Sequence, residues 1–544
     1  MTSRLQIRRS HLTGRLGAAA LTAVLVAACG TSTPTPPAST VASSSAGSPT
    51  PSLSASPAPS AASPGPAVGS KATFPLAVVA HETDLRQAIA GTQVAADLAA
   101  GRIVVPCGLS SISIGGSAVT VPSAACSRAP DIPAALAKTP GLLGLLPAGL
   151  VDPRVKVLQV DGADLFGDMT IRAKPYPVIA TSDDLPADLA GSATVYDAND
   201  VRTIVSTGDT CPDRAPSHWA NVVGKGWDWT LKGGTARYTR VVMDRQFSGP
   251  TGNGWPVVQA VRTGQDTGAI WDLIHDADIA VNDFECPMIA GFTQHDHGTL
   301  FTIDPRVAGL FQRVGMDFAS LGSNHGTDLG ASGIRQTLAY FDQVGVKYSG
   351  AGMDLAQSMK PAVFDVRGLR FAFISWDATG VSHAATATGW GELHPTADNV
   401  RNTVALARSQ ADLVILMPQW NFPEYSAPFT RTALAQRDAW YAAGVDDILG
   451  SGTHWASAMS VTRPDPARGW RVAVTSHGNF LFGQLWSRQT QEGLIYEVTF
   501  RGTQLVQVRV HPYIVMDGAQ PNLTDPTTDG AYVQQQMLKV SQLP

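Results

Sequence analysis

Beyond residue 200 the chain alternates short apolar runs with longer amphipathic segments. VRTIVSTGD, ADIAVNDFE, DFASLGSNH, ADLVILMPQW and DDILGSG are rich in apolar, often β-branched residues and end in polar ones, as strands buried on both faces of a parallel sheet do. Between them, Ala331 to Gly345 carries Ile334, Leu338, Phe341 and Val344, spacings of four, three and three that lay one apolar stripe against a sheet. Thr430 to Ala443 predicts a second helix, stopped at Gly444. AVFDVRG with LRFAFISW, and GLIYEVTF with QLVQVRV, read as antiparallel pairs turned at glycine. Together these elements predict a mixed two-sheet sandwich flanked by helices over residues 201–515, with 516–544 as a C-terminal tail.

Residues 72–200 carry a shorter pattern. FPLAVVAH, VKVLQVDGADLF and YPVIATSDDL are strand-length runs bounded by Gly, Pro and Asp, with a helix expected near residues 84–99. They predict a smaller α/β domain that resembles a shortened periplasmic solute-binding lobe; spacer and ligand-binding roles are both open.

The first seventy residues change the picture of where the chain works. Arg4, Arg8, Arg9 and Arg15 precede an almost wholly small and apolar run, and Val26-Ala27-Ala28-Cys29 reads as a lipobox. Residues 1–28 are therefore expected to be a cleaved lipoprotein signal peptide, with Cys29 the lipidated first residue. Arg8-Arg9 also permits twin-arginine export. Residues 29–71 are Pro-, Ser- and Thr-rich, with too little apolar surface to offset the entropy of ordering, and form a tether. At about 3 Å per residue it reaches on the order of 100 Å from a membrane. The expected location is extracytoplasmic, anchored to the cell membrane.

Charge argues against a nucleic-acid partner. The whole chain carries −5, and without the four leader arginines 35 basic residues face 44 acidic ones, a balance of −9, whereas phosphate binding wants a basic face. Of the five cysteines, Cys107 and Cys126 flank a Ser/Gly-rich loop and are expected to pair. Cys211 follows Asp209 by two positions and Cys286 follows Glu285 by one, so a second disulfide or a thiolate ligand is open there. Trp219, Trp227, Trp229, Trp255 and Trp271 are dense between these two motifs. They read either as packing for a loop-rich insertion or as a stacking surface for sugars.

The candidate chemistry gathers at strand ends. Asp209, Glu285, Asn324-His325, Glu424 and His454 each follow an apolar run, where open α/β sheets collect ligands. TGDTCPDR, ADIAVNDFECPM, DFASLGSNHGTDLGASGIRQTLAYFDQVGVKYSGAG, QWNFPEY, AGVDDILGSGTHW and SHGNFLF occur in the order seen in the capsule-synthesis CapA family, also called the poly-γ-glutamate synthesis protein family, which this chain resembles over residues 201–515. The family looks like a branch of the calcineurin-like metallophosphatases. The resemblance implies a four-layer α/β/β/α sandwich and a divalent metal site for Mn, Mg, Zn or Fe.

By that resemblance Asp209, Glu285, Asn324 and His454 are metal ligands and His325 faces the substrate as general acid or oxyanion partner. The implied partners are a cell-surface polymer, capsule polysaccharide or polyglutamate, the membrane through the lipid anchor, and a membrane synthase. The implied activity is hydrolysis or transfer at a phosphate or amide bond; the alternative is a non-catalytic member that binds polymer or synthase. Two positions depart from the family: Gln419 stands where it has histidine, and Gly452 where it has the first histidine of His-Pro-His. Gln419 offers a carbonyl oxygen as a weaker ligand, and His477 is a further residue expected to line the site.

Overall fold

Successive side chains on a strand face opposite ways, and Ile204 and Val205 use that rule to separate two cores. Ile204 joins Val281 and Phe318 against Phe371, Phe373 and Ile415 of a second sheet. Val205 faces the other way, into a core built with Ile274, Phe311, Ile334 and Phe341 from helices. On the second sheet, Ile374 and Leu416 turn from the inter-sheet core toward Val404 and Trp440 of another helix layer. Helix, sheet, sheet, helix is thus the layer order, the four-layer α/β/β/α sandwich expected from the sequence.

The computed structural model describes residues 65–120, 126–246, 254–295, 298–420 and 422–544. The basic leader with Arg8-Arg9, Cys29, the tether up to residue 64, and Asn421 lie outside the described residues.

In the larger, ten-stranded sheet, Val201–Cys211 is parallel to Ile279–Phe284, which is parallel to Phe318–Ser320; on its other side Val201–Cys211 pairs antiparallel with Glu492–Arg501. In the six-stranded sheet, Leu369–Asp377, Leu413–Gln419 and Asp447–Leu449 run parallel. The two glycine-turned hairpins form as expected, Ala362–Val366 with Leu369–Asp377 and Glu492–Arg501 with Gln504–Met516. The helices Gly330–Val344 and Arg431–Ala443 end on Gly345 and Gly444, both left-handed, and Thr430 caps the second through its hydroxyl.

Residues 516–544 are not a tail. Gln520–Thr524 is a strand between Gln504–Met516 and Thr235–Asp244, and the helix Ala531–Val540 sends Val533 and Met537 into the inter-sheet core. Hydropathy misses the strand because Gln520 and Asn522 are buried polar residues whose hydrogen bonds are met by Trp229 O and the Gly234 amide.

Residues 72–182 form an eight-stranded sheet around Ala72–His81, which pairs antiparallel with Leu143–Pro147 and Val178–Ser182. The expected helix begins only at Gly91. Before it, Asp84 closes a turn on the Arg86 amide and Ala88–Ile89 pairs with Gln159–Val160. Cys107 and Cys126 form the expected disulfide.

This sheet meets the larger one through buried polar contacts. Arg509, 2% exposed, donates to Asp164 Oδ2 at 2.6 Å, Val157 O at 2.9 Å and Glu497 Oε1 at 3.3 Å. Gln507 accepts from the Val157 amide at 3.0 Å, and Arg501 reaches the Ala148 and Gly149 carbonyls.

Candidate metal centre

The parallel strands of both sheets finish at the same end, and the polar residues that close each run come together there. Asp209 lies in Val201–Cys211 at a register shift against Ile279–Phe284, its amide bonded to Gly478 O at 3.0 Å. Gly208 permits this approach, because a Cβ there would stand 1.9 Å from that same carbonyl oxygen. Glu285 leaves the adjacent strand with its amide on Thr210 O at 3.0 Å. A Cys211–Cys286 disulfide then ties the two strand exits together, Cα to Cα 5.4 Å. It settles the open reading of these thiols in favour of the disulfide.

His454 arrives from the other sheet, past Asp447–Leu449, with a left-handed backbone of φ 58°. That conformation costs about 1 kcal/mol outside glycine and marks a residue held in place by its surroundings. Its Nδ1 donates to Asn479 Oδ1 at 3.0 Å and lies 2.9 Å from Asp209 Oδ2, while Nε2 lies 3.9 Å from Glu285 Oε1. Asp209 Oδ2 thus meets His454 as an ion-pair partner, while Asp209 Oδ1 and Glu285 Oε2 accept no hydrogen bond. One ligand atom from each of Asp209, Glu285 and His454 lies within 4.8 Å of the others. Asp209 and Glu285 are 0% exposed and His454 3%.

Burial pushes the Glu285 carboxyl up to about 7, with the Asp209 charge adding to it against His454. Burial pulls His454 down, but the Glu285 and Asp209 charges outweigh it and hold the imidazolium to about 10. Two dry carboxylates with unmet oxygens and a single protonated imidazole as counter-charge are costly to bury. Two carboxylates and an imidazole are also a donor set that suits a divalent cation. The residues present therefore fit one metal ion.

Asn324 and His325 stand beside this group. Asn324 Oδ1 accepts from Gln419 Nε2 at 2.9 Å and from Ser323 Oγ at 3.4 Å. His325 Nδ1 meets Asp328 Oδ2 at 3.0 Å, and the ring sits edge-to-face on Phe301 at 4.8 Å. Burial pulls His325 down, but the Asp328 hydrogen bond and the Glu285 charge carry it above the ordinary histidine value. Its side chain keeps 19% of its surface exposed, unlike the three ligand-type residues.

Three residues expected to line the site stand beside the group of three rather than within it. Gln419 does not present a carbonyl oxygen: Oε1 accepts from Ser451 Oγ at 2.7 Å, and the amide nitrogen faces Asn324 and Glu285. His477 is outside the group of three; Nδ1 bonds to Gly450 O at 2.9 Å, its ring packs edge-to-face on Tyr496, and burial lowers it to about 4. Glu424 is near enough for its charge to act on Glu285 and His454, yet it is not in that group either.

Asp283, which is not among the residues expected from the sequence, is buried in register with Asp209. Burial, then the Asp209 and Glu285 charges, raise it well above the ordinary carboxyl value. Its place on the strand Ile279–Phe284, two residues before Glu285, is the signal that points to it. Asn479, which orients His454, carries no such signal.

The five tryptophans divide. Trp227 is buried, Trp219 and Trp229 pack together with ring centroids 5.4 Å apart, and Trp271 lies against the helix-side core. Trp255 instead packs on Trp455 and Trp486 at 5.8 and 5.4 Å, and Tyr425 joins that cluster to the His454 ring at 5.6 Å.

Residues 203–484 match the family model described as bacterial capsule synthesis protein PGA_cap. A capsule biosynthesis protein CapA of Bacillus anthracis is 25% identical over 262 residues, 46% of this chain and 61% of that protein. A PGA biosynthesis protein CapA of Bacillus subtilis (strain 168) is 29% identical over 198 residues, 36% of this chain and 50% of that protein. The match thus spans between half and three fifths of these curated relatives. The crystal structure of the calcineurin-like phosphoesterase YfkN from Bacillus subtilis aligns with 9% identity and a TM-score of 0.30, covering 62% of this chain and 97% of that one. At that distance it bears no weight, and the layer order rests on the contacts described above.

Proposed function

The chain belongs to the bacterial capsule synthesis protein family PGA_cap, and from that premise we propose that it makes, transfers or trims a cell-surface polymer by metal-dependent chemistry at a phosphate or amide bond. The polymer is capsule polysaccharide or poly-γ-glutamate. One observation carries the reading: Asp209, Glu285 and His454 converge from two sheets with unpartnered carboxylate oxygens in a buried group.

These three residues would hold the ion. A divalent ion bound there supplies Lewis acidity and charge neutralisation toward a phosphoryl or carbonyl oxygen. Asn324 and His325 border the same place, and His325 keeps part of its side chain exposed. With Nδ1 committed to Asp328, its Nε2 is left to hold a proton and deliver it to a leaving group. Phe301 and Asp328 keep the ring in that orientation.

The sequence further supports export and attachment to the membrane through lipidated Cys29, with the tether carrying residues 72–544 outward toward polymer and a membrane synthase. A second reading, a non-catalytic polymer- or synthase-binding member, is favoured by Gln419, whose amide nitrogen rather than a ligand atom faces Glu285 and Asn324.

Metal content separates the two. The purified mature chain reconstituted with Mn2+ or Zn2+ should retain close to a stoichiometric ion and release product from capsule polysaccharide or poly-γ-glutamate. Less than about a tenth of an equivalent after reconstitution would reject the metal-dependent reading.

A further inference from the structure

We infer that Gln419 closes the Asn324 side of the group to a cation: its amide bridges Glu285 and Asn324 by hydrogen bonds, and the site consequently takes a single ion. The inference rests on the metal-binding reading above and adds the stoichiometry of that site.

The bridge is oriented from both ends. Ser451 Oγ donates to Gln419 Oε1 at 2.7 Å, and Gln419 Nε2 donates to Asn324 Oδ1 at 2.9 Å and to Glu285 Oε1 at 3.4 Å. With Oε1 taken by the Ser451 hydroxyl, the amide hydrogens lie on the Asn324 and Glu285 side. Both acceptors are oxygens of the type that hard cations seek. A cation between them would meet the same two hydrogens head on, since the amide already supplies the partial positive charge there. Gln419 is fully buried, which leaves the amide no solvent-facing alternative.

Gly452 locks the arrangement. Its φ is 115°, and a Cβ on it would lie 3.1 Å from Gln419 Cδ, 3.2 Å from Nε2 and 3.2 Å from Phe422 Cε2. A side chain at position 452 would be strained by that φ and would press on Gln419. What is left open is the other side of the group, where Asp209 Oδ1 and Glu285 Oε2 accept no hydrogen bond.

The test counts ions. After equilibration of the full mature chain with Mn2+ and removal of free metal, elemental analysis should find about one equivalent per chain, and about two in Gln419→Glu, which keeps the shape and replaces the NH2 by an oxygen ligand. About two equivalents in the unmodified protein would overturn the inference and leave metal binding intact. No metal in either protein would overturn metal binding and the single-ion count with it. Gln419→Glu, folded by circular dichroism yet unchanged in its count, would overturn the role given to Gln419. If that variant does not fold, Gln419→His gives the same readout. Independently of any ion, Gln419→Met in EDTA should melt several degrees below the unmodified protein, on the order expected for a lost buried hydrogen-bond bridge; an unchanged midpoint would refute the bridge.

Discussion

His454 Nε2 lies 3.9 Å from Glu285 Oε1, the two side chains approaching from strands of opposite sheets. Because Asp209 flanks the other ring nitrogen at 2.9 Å, the group depends on how the two sheets stack. Asp209→Asn should therefore abolish stoichiometric ion binding in calorimetry. Asn479→Ala, which removes the acceptor of the His454 Nδ1 proton, should weaken it by about 10- to 100-fold. Unchanged affinity in Asp209→Asn would remove that residue from the ligand set.

His325→Ala should retain the ion and lose turnover by about 10²- to 10⁴-fold, the usual worth of a positioned general acid. Asp328→Asn, which spares the imidazole but weakens its anchor, should lose less. Full activity in His325→Ala, with metal content confirmed, rejects its role as proton donor.

The two disulfides should differ in effect. Replacing Cys211 and Cys286 by serine removes a crosslink worth about 2–5 kcal/mol, and it frees the strand exits that carry Asp209 and Glu285, so stability and ion affinity should fall together. Replacing Cys107 and Cys126 should lower stability and leave ion affinity unchanged, because that bond lies at the other sheet. Chemical denaturation with parallel metal titration checks both.

Asp447 gives a pH dependence outside the ligand group. Burial pushes its carboxyl up to about 7 against the pull of Arg471 and the Val472 amide, whereas in the unfolded chain it titrates near 4. Between those values the folded protein holds the proton that the unfolded chain has released, so this group's contribution to stability falls as pH rises through that window. Asp447→Asn should cancel the effect, gaining on the unmodified protein by up to about 1.4 kcal/mol per pH unit between roughly pH 4 and 7. Urea midpoints for both proteins at pH 4.5 and pH 7.5 decide it; a constant difference would count against the assignment.

Cys29→Ser should move the protein from the membrane fraction to the soluble one, since a short leader that is cleaved leaves the lipid as the attachment. Retention in washed membranes would refute lipid attachment at that residue.

The strand ends are legible in the sequence because each apolar run gives way to a short polar stretch, so the amino-acid pattern puts Asp209, Glu285, Asn324 and His454 near strand ends. The amide of Gln419 is not legible. Its orientation is decided by Ser451 and Glu285, which come from separate strand ends, and no local pattern encodes which atom of an amide faces a cleft. His477 looks like a spare ligand from its neighbours in sequence, but the Gly450 carbonyl claims one nitrogen. The strand Gln520–Thr524 is hidden for a related reason: buried glutamine and asparagine satisfied by distant backbone look like loop residues in a hydropathy pattern. Asp283 is within reach of the pattern, since residues two apart on a strand share a face and Glu285 stands two positions on.

The guanidinium of Arg509 has a practical consequence for dissecting this molecule. Its carboxylate partner Asp164 and its carbonyl partner Val157 both precede residue 200, while the arginine itself belongs to the strand Gln504–Met516. Producing residues 201–544 alone would take Asp164 and Val157 away from that cation and open to water Val201 and Val506, which complete the core of the preceding sheet. The half that carries Asp209, Glu285 and His454 is thus unsuited to study as an excised fragment.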